Sequence, residues 1–406
     1  MIAPAAGRVA FRHRNFRYYL PARFLATAAS EMQAVGVAWQ IYGLTGRPLD
    51  LGLVGLAQFL PGIVLFLVAG HAADRYPRRR ILVICWAAFA CCSLSLLALS
   101  LHGLRTVWPI YAVLVANGVV RAFNAPTAQA FFPQLVPEED FPNAVSWGSS
   151  IFQVALSLGP LLGGLIYGFA GSPVPVYCCA AAAYLCGLAL LSTVRISIAP
   201  RPRGVSMDVL LGGIRYIWSH KVLLGAISLD LFAVLLGGAV ALLPVYAGEI
   251  LKIGARGLGI LRAGPGLGAI LTAILIAHRP LRRKVGAAML WCVCGFGLMT
   301  IVFGLSRNLA LSLAALVLIG ACDMVSVIVR HTLVQLRTPD EMRGRVSAVN
   351  MVFIGASNEV GQFESGVTAQ WFGTVPAVVA GGIGTIVIVA LWAKLFPALR
   401  EVDKLT

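Results

Sequence analysis

Charge is what this sequence has least of. Of its 406 residues 12% are charged, 16 acidic and 32 basic, while 59% are hydrophobic. Soluble domains carry about 25% charged residues. Too little polar residue is present to cover a water-facing surface, which excludes a soluble enzyme, a nucleic-acid-binding protein and a disordered chain. Also missing is a Gly-x-x-x-x-Gly-Lys-Ser/Thr phosphate loop, so ATP is not the direct energy source. There is no His-Glu-x-x-His pair, and the six histidines (His13, His71, His102, His220, His278 and His331) are scattered. The nine cysteines, Cys91–Cys92, Cys178–Cys179, Cys292 and Cys294 among them, lie in apolar runs without metal-ligand spacing, and they read as small packing residues. No enzyme activity, no cofactor and no metal is expected.

What is there is hydrophobic length. Mean hydropathy is +0.85, and runs of about 20 apolar residues are long enough to cross a bilayer as helix. Twelve such spans are expected, near 18–43, 49–72, 81–101, 108–132, 142–169, 174–195, 222–250, 256–277, 286–305, 309–336, 342–371 and 374–396. The first is too long for a secretory signal and should remain as a span. The chain then divides into a six-helix bundle over 1–195, a linker over 196–221 and a second bundle over 222–406. Within the linker Leu210, Leu211, Ile214, Ile217 and Trp218 recur at helical spacing, as in an amphipathic helix lying at the membrane interface.

The basic residues are sorted by side. Twenty-three of the 32 fall at the two ends and in the even-numbered connections; five (Arg47, Arg105, Lys252, Arg256 and Arg307) fall in the odd ones. The positive-inside rule puts both termini in the cytoplasm. The halves are also related in sequence. A shift of 204 superposes Gly55 on Gly259, Pro61–Gly62 on Pro265–Gly266 and Arg78–Arg79 on Arg282–Arg283. A shift of 201 superposes Gln134–Leu135 on Gln335–Leu336 and Val145–Ser146 on Val346–Ser347. A repeat of six helices keeps its orientation in the membrane, so the two copies are related by an axis along the membrane normal, which is transporter architecture.

Charges inside the spans carry the mechanistic information, because each costs about 2.5–3.5 kcal/mol at mid-helix. Glu31 lies in span 1, Arg121 in span 4, Asp230 in span 7, and Asp323 and Arg330 in span 10. Thr27 and Glu31 share a helix face, as do Asn117, Arg121 and Asn124, and Asp323, Ser326 and Arg330. Span 11 adds Glu359 and Glu364 around Asn358, Gln362 and Ser365. A carboxylate in a partly apolar cavity favours its neutral form, so it can load and release a proton; Glu31 and Asp230 are the expected proton-coupling pair. Arg121 is expected to anchor an anionic substrate or to compete with the proton for Glu31. An ion pair between Asp323 and Arg330, two turns apart, is the alternative reading for those two, and Arg23 can snorkel from its helix end.

Several motifs carry a resemblance. The second connection reads Gly70, three residues, Asp74–Arg75, two residues, then Arg78–Arg79, and it resembles the signature loop of the major facilitator superfamily. In the second half His278 stands where the acid would be, followed by Arg279, Arg282 and Arg283. Gly159–Pro160 and Gly163–Gly164 are similar to the Gly-Pro signature of the proton-coupled exporters, with Ala155 and Ser146 replacing its upstream glycines. Asn124-Ala-Pro126-Thr127-Ala-Gln129, Pro142-Asn143-Ala144-Val145 and Arg343-Gly344-Arg345-Val346 resemble the bacterial branch that includes the enterobactin exporter. The resemblance spans nearly the whole chain. It implies the all-α fold of two pseudo-symmetric six-helix bundles, in which spans 1, 4, 7 and 10 line the substrate cavity, here Thr27, Glu31, Asn117, Arg121, Asn124, Asp323 and Arg330. Gly70, Asp74, Arg75, Arg78, Arg79, Gly159 and Pro160 become the expected gating residues. The implied activity is proton-coupled export of a small organic molecule (siderophore, secondary metabolite or drug-like amphiphile) across a bacterial cytoplasmic membrane, by a chain acting as a monomer. The alternatives are an importer on the same scaffold and a sensor that binds without transporting. Partners are then a small organic substrate, the proton and the lipid bilayer, with no nucleic acid.

Overall fold

The structure, a computed structural model, describes residues 6–195, 207–279 and 283–403. Among them there is no strand, and long helices follow one another along the chain. Six are α1 (Arg14–Thr45), α2 (Pro48–Arg75), α3 (Arg78–Leu101), α4 (Trp108–Phe131), α5 (Phe141–Ala170) and α6 (Val174–Thr193). The amphipathic α7 (Met207–Ser219) and then α8 (Lys221–Leu236) follow, with the short α9 (Leu243–Val245) beyond a break. The rest are α10 (Gly254–His278), α11 (Val285–Leu305), α12 (Leu309–Arg337), α13 (Asp340–Phe372), α14 (Thr374–Leu395) and the four-residue α15 (Pro397–Arg400). Apart from the seventh span, helix ends lie within about four residues of those expected from hydrophobic length alone.

Nine described segments are long and apolar enough to cross a membrane. Those that fall short, α1, α4 and α13, carry the polar residues: Glu31, Gln33 and Gln40; Asn117, Arg121 and Asn124; Glu359 and Glu364. The seventh span is present but is not one continuous helix. α8 stops at Leu236, Gly237 and Gly238 leave helical geometry, and the chain continues through a 3-10 turn (Ala239–Leu242), α9 and a π-helical turn (Tyr246–Ile250). Adjacent glycines, which pack no side chain and hold a helix weakly, explain the break.

Packing groups the chain into two units: Met1–Gln40 with Leu60–Val205, and Ile41–Phe59 with Ser206–Thr406. Residues 41–59, placed by the sequence in the N-terminal bundle, have their contacts in the second unit. Unit 1 is centred on Phe16, Tyr19, Trp86, Phe89, Phe131 and Tyr184, all buried. In unit 2 the helices approach through glycine. A Cβ on Gly268 of α10 would meet the Val317 carbonyl of α12 at 1.8 Å, and one on Gly320 of α12 would meet Pro265 O at 1.9 Å. Gly297 of α11 and Gly382 of α14 oppose each other in the same way. Close backbone approach between small residues is how helices bind one another in lipid, where apolar burial gives no drive.

The linker's second half forms α7, as its periodicity indicates. α7 packs on α13, with Gly213 against the backbone of Arg345 and Ile217 buried among Val334, Val346 and Val349. The linker's first half, 196–206, and Arg282 of the second loop lie outside the described residues.

Candidate functional site

Two clusters of charge are built into the helices, one in each unit. In unit 1, α1 brings Glu31, half-buried, to the point where α5 crosses it. That crossing is made by glycine: a Cβ on Gly159 would lie 2.6 Å from Glu31 Cβ, and one on Gly163 would lie 2.8 Å from Met32 O. Pro160 is buried beside them. The charges of Glu31 and of Arg121 on α4 both act on the Tyr184 hydroxyl of α6, which also hydrogen-bonds Ser30. The exporter-like Gly-Pro segment therefore meets the acid expected to carry a proton, a contact that no spacing in the sequence announces.

The other residues expected around that site divide by environment. Thr27 is half-buried one turn before Glu31, Asn117 is buried in α4, and the Arg121 side chain is exposed. Asn124 accepts a hydrogen bond from Trp86 Nε1 at 3.1 Å, which ties α4 to α3. Arg23 lies over the rings of Phe132 and Phe152, at 5.5 and 5.1 Å, a cation–π arrangement that hydropathy alone does not reveal.

In the loop of the signature motif, Arg78 Nη1 donates to Ala130 O at 2.9 Å and Arg79 Nη2 donates to Ser192 O. These carbonyls lie in the last turns of α4 and α6, where orphan acceptors and the negative end of the helix dipole favour a cation. Both arginines thus brace unit 1. Gly70 is buried and Arg75 is exposed; the Asp74 side chain is outside the described residues, so its expected gating contact is too.

Unit 2 holds the second cluster. Arg330 of α12 pairs with Asp230 of α8 at 2.6 Å, both buried. The pairing joins two helices, whereas the alternative reading of the sequence would have matched Arg330 with Asp323 inside one. Asp323 and Ser326 stand on the same face of α12 and, with Asp230, line a small cavity to which α11 contributes Val293 and Phe296. Its volume open to the centre of a water is about 10 Å³, space for a single molecule. The α8 break lies one turn beyond, packed on Gly361 and Ser365 of α13.

Glu249 is a functional candidate the sequence reading passed over, since it falls at the end of a span where a polar residue is unremarkable. In unit 2 the Tyr42 hydroxyl, from the last turns of α1, donates to Glu249 Oε1 in the π-helical turn. Beside them Gly52 of α2 packs on α13, its Cα 2.7 Å from where a Gly366 Cβ would be.

The comparisons with known proteins agree with this architecture. The profile of a family described as transmembrane secretion effector matches residues 5–406. The chain is similar to the enterobactin exporter EntS of Shigella boydii serotype 4 (strain Sb227), 26% identical over 395 residues, covering 96% of this chain and 93% of the relative. The enterobactin exporter EntS of Escherichia coli O1:K1 / APEC is similar to the same extent. Among solved structures, a bacterial homologue of the human lysosomal transporter Spinster, inward-facing and occupied, matches with a TM-score of 0.74 at 15% identity, covering 95% of this chain and 98% of that one. The human organic anion transporter MFSD10 (TETRAN) matches with a TM-score of 0.66 at 14% identity, over 93% and 99%. At such identities the solved structures speak for the fold alone.

Proposed function

The chain belongs to the transmembrane secretion effector family of the major facilitator superfamily, and from that premise we propose that it exports a small organic molecule from a bacterial cytoplasm against inward proton flow. It is a multi-pass secondary transporter and not an enzyme. The observation that carries the export reading is similarity to enterobactin exporters along nearly the full length of both chains. It favours a siderophore, a related secondary metabolite or a drug-like amphiphile as cargo. In this reading the protein acts as a monomer in the cytoplasmic membrane, and the sorting of the basic residues supports an orientation with both termini inside.

Coupling is proposed at the two clusters: at Glu31 in unit 1, and in unit 2 at the acid site beside the Asp230–Arg330 pair. Glu31 suits the task because α5 rests on it through Gly159. Any sliding of α5 along α1 changes the packing around the acid, and so links its protonation to the state of the helix pair. Arg121 stands within electrostatic reach of the same region and supplies a guanidinium for an anionic group on the cargo.

The test is mass spectrometry of cells and medium for cells expressing wild type or Glu31→Gln, with both proteins verified in the membrane. A compound should leave the cell with wild type and be reduced at least tenfold in the medium with the variant. Accumulation inside the cell with wild type would make the protein an importer. Equal export by both proteins would remove Glu31 from coupling.

A further inference from the structure

Beside its buried ion pair unit 2 holds one more carboxylate than the local cation neutralises. Arg330 Nη1 holds Asp230 Oδ2 at 2.6 Å, with Arg330 2% and Asp230 5% exposed. Half-buried Asp323 lines the same cavity, within electrostatic reach of both, and the lining residues include no basic side chain. Two carboxylates sharing one guanidinium between walls of Val293, Phe296 and Ala233 cannot both stay ionised at small cost. An independent observation marks the cavity as a place for a ligand. Ser326 Oγ, on a residue 2% exposed, points to it with no hydrogen-bond partner, and Arg330 Nε is buried and unpartnered as well. A buried hydroxyl without a partner calls for a water, and the volume fits one.

The titratable groups around Asp323 come from several helices. α8 supplies Asp230; α12 itself supplies Arg330, the Cys322 thiol and, beyond Arg330, His331; α11 supplies Cys292 beside Cys322. α10 meets α12 through Pro265 and Gly268, which do not titrate, and carries half-buried Arg262 one turn before Pro265. α13 packs on α8 at Gly361, and the acids flanking that contact are Glu359 and Glu364.

We propose that Asp323 is the proton-binding residue of unit 2, its proton solvated by one water shared with Ser326 Oγ, and that Asp230 is the fixed counter-charge of Arg330. The assignment rests on the proton-coupled reading above and names the residue that performs it. On release, the Asp323 O–H bond breaks, the proton passes to the water and leaves as hydronium, and the electron pair stays on the carboxylate. Arg330 can then offer its free Nε–H to the new charge while Nη1 keeps Asp230. Arg330 is thus a positioning residue that stabilises either state.

Infrared spectroscopy of the purified full chain in lipid tests this with the proton itself as probe. Wild type at neutral pH should show a protonated carboxyl C=O band that shifts in deuterium oxide. Asp323→Asn should abolish it, and Asp323→Glu, which keeps an acid in place should the amide variant misfold, should retain it at a displaced frequency. Asp230→Asn should also abolish it, because Arg330 then pairs with Asp323. Ser326→Ala should keep the band and raise its frequency, through loss of a hydrogen bond to the solvating water. A band unchanged in Asp323→Asn overturns the assignment, and an unmoved frequency in Ser326→Ala overturns the shared water. Loss of the wild-type band when sodium replaces choline overturns it too, in favour of a sodium site. Transport indifferent to a pH gradient with the band present would sink the coupling reading and leave the proton site standing. Gradient-driven transport with no band from Asp323 would do the reverse.

Discussion

At the scale of single residues, the cost of burying charge organises both clusters. A guanidinium left without an acid inside a protein costs about 3–5 kcal/mol, and in unit 2 Arg330 has a second acid within reach. Asp230→Asn should therefore lower the unfolding temperature little, since Asp323 takes over. Asp230→Asn combined with Asp323→Asn should lower it far more than the sum of the single changes, by the equivalent of about 3–5 kcal/mol. Unfolding followed by tryptophan fluorescence in detergent measures the cycle, and simple additivity would contradict a shared cation. In unit 1 a side chain at Gly159 has nowhere to go, its first atom falling 2.6 Å from Glu31 Cβ. Gly159→Leu should force α5 off α1, cost about 1–3 kcal/mol as overpacking, and reduce transport at least tenfold in a flux assay. Arg121→Ala should impair anionic cargo more than cationic cargo in competition assays; equal loss would mark Arg121 as a structural cation.

Elements show where the chain is close-packed and where it yields. α10 and α12 touch backbone to backbone at Gly268 and Gly320, a contact that permits little relative movement without parting. The seventh span is built differently: its helix is interrupted at Gly237–Gly238 and ends in a π-helical turn, and breaks of this kind recur at functional sites. The Tyr42–Glu249 hydrogen bond ties the end of α1 to that turn. Tyr42→Phe removes the bond while keeping the ring. The expected result is several-fold faster amide hydrogen exchange in 41–50 and 246–253, with exchange in the α10–α12 contact unchanged. Uniform exchange in both regions would show that the bond does not hold this end closed.

At the scale of the whole molecule, the proposed orientation, with both termini inside, is tested by fusions. A C-terminal fluorescent fusion should light up in the cytoplasm, and an alkaline phosphatase fusion at the same place should be inactive. A fusion at the connection near Arg105 should give the opposite pattern. All nine cysteines are free, several of them exposed on the helices, so labelling by a lipid-soluble maleimide should far exceed labelling by a charged one.

Hydrophobic length and charge placement are local properties of a chain, and they were legible from it: the helices and nearly all their ends, the amphipathic α7, the basic loop, and the polar residues embedded in α1, α4, α8, α12 and α13. Even the Gly-Pro segment could be marked by its likeness to an exporter signature. What partners each residue took was not legible, because a side chain's neighbours on other helices depend on rotation and tilt that no single helix specifies. Hence Arg330 faced two acids in the sequence, and packing gave it Asp230 on α8, leaving Asp323 to the cavity. Hence also Arg78 and Arg79, expected among the gating residues, found the carbonyl ends of α4 and α6. Residues 41–59 belonged by order to the first half, yet they are packed in the second unit, where Gly52 meets α13. Burial and charge determined which residues had to find partners; the crossing of helices, set by where glycine lets backbones touch, decided which partners they found.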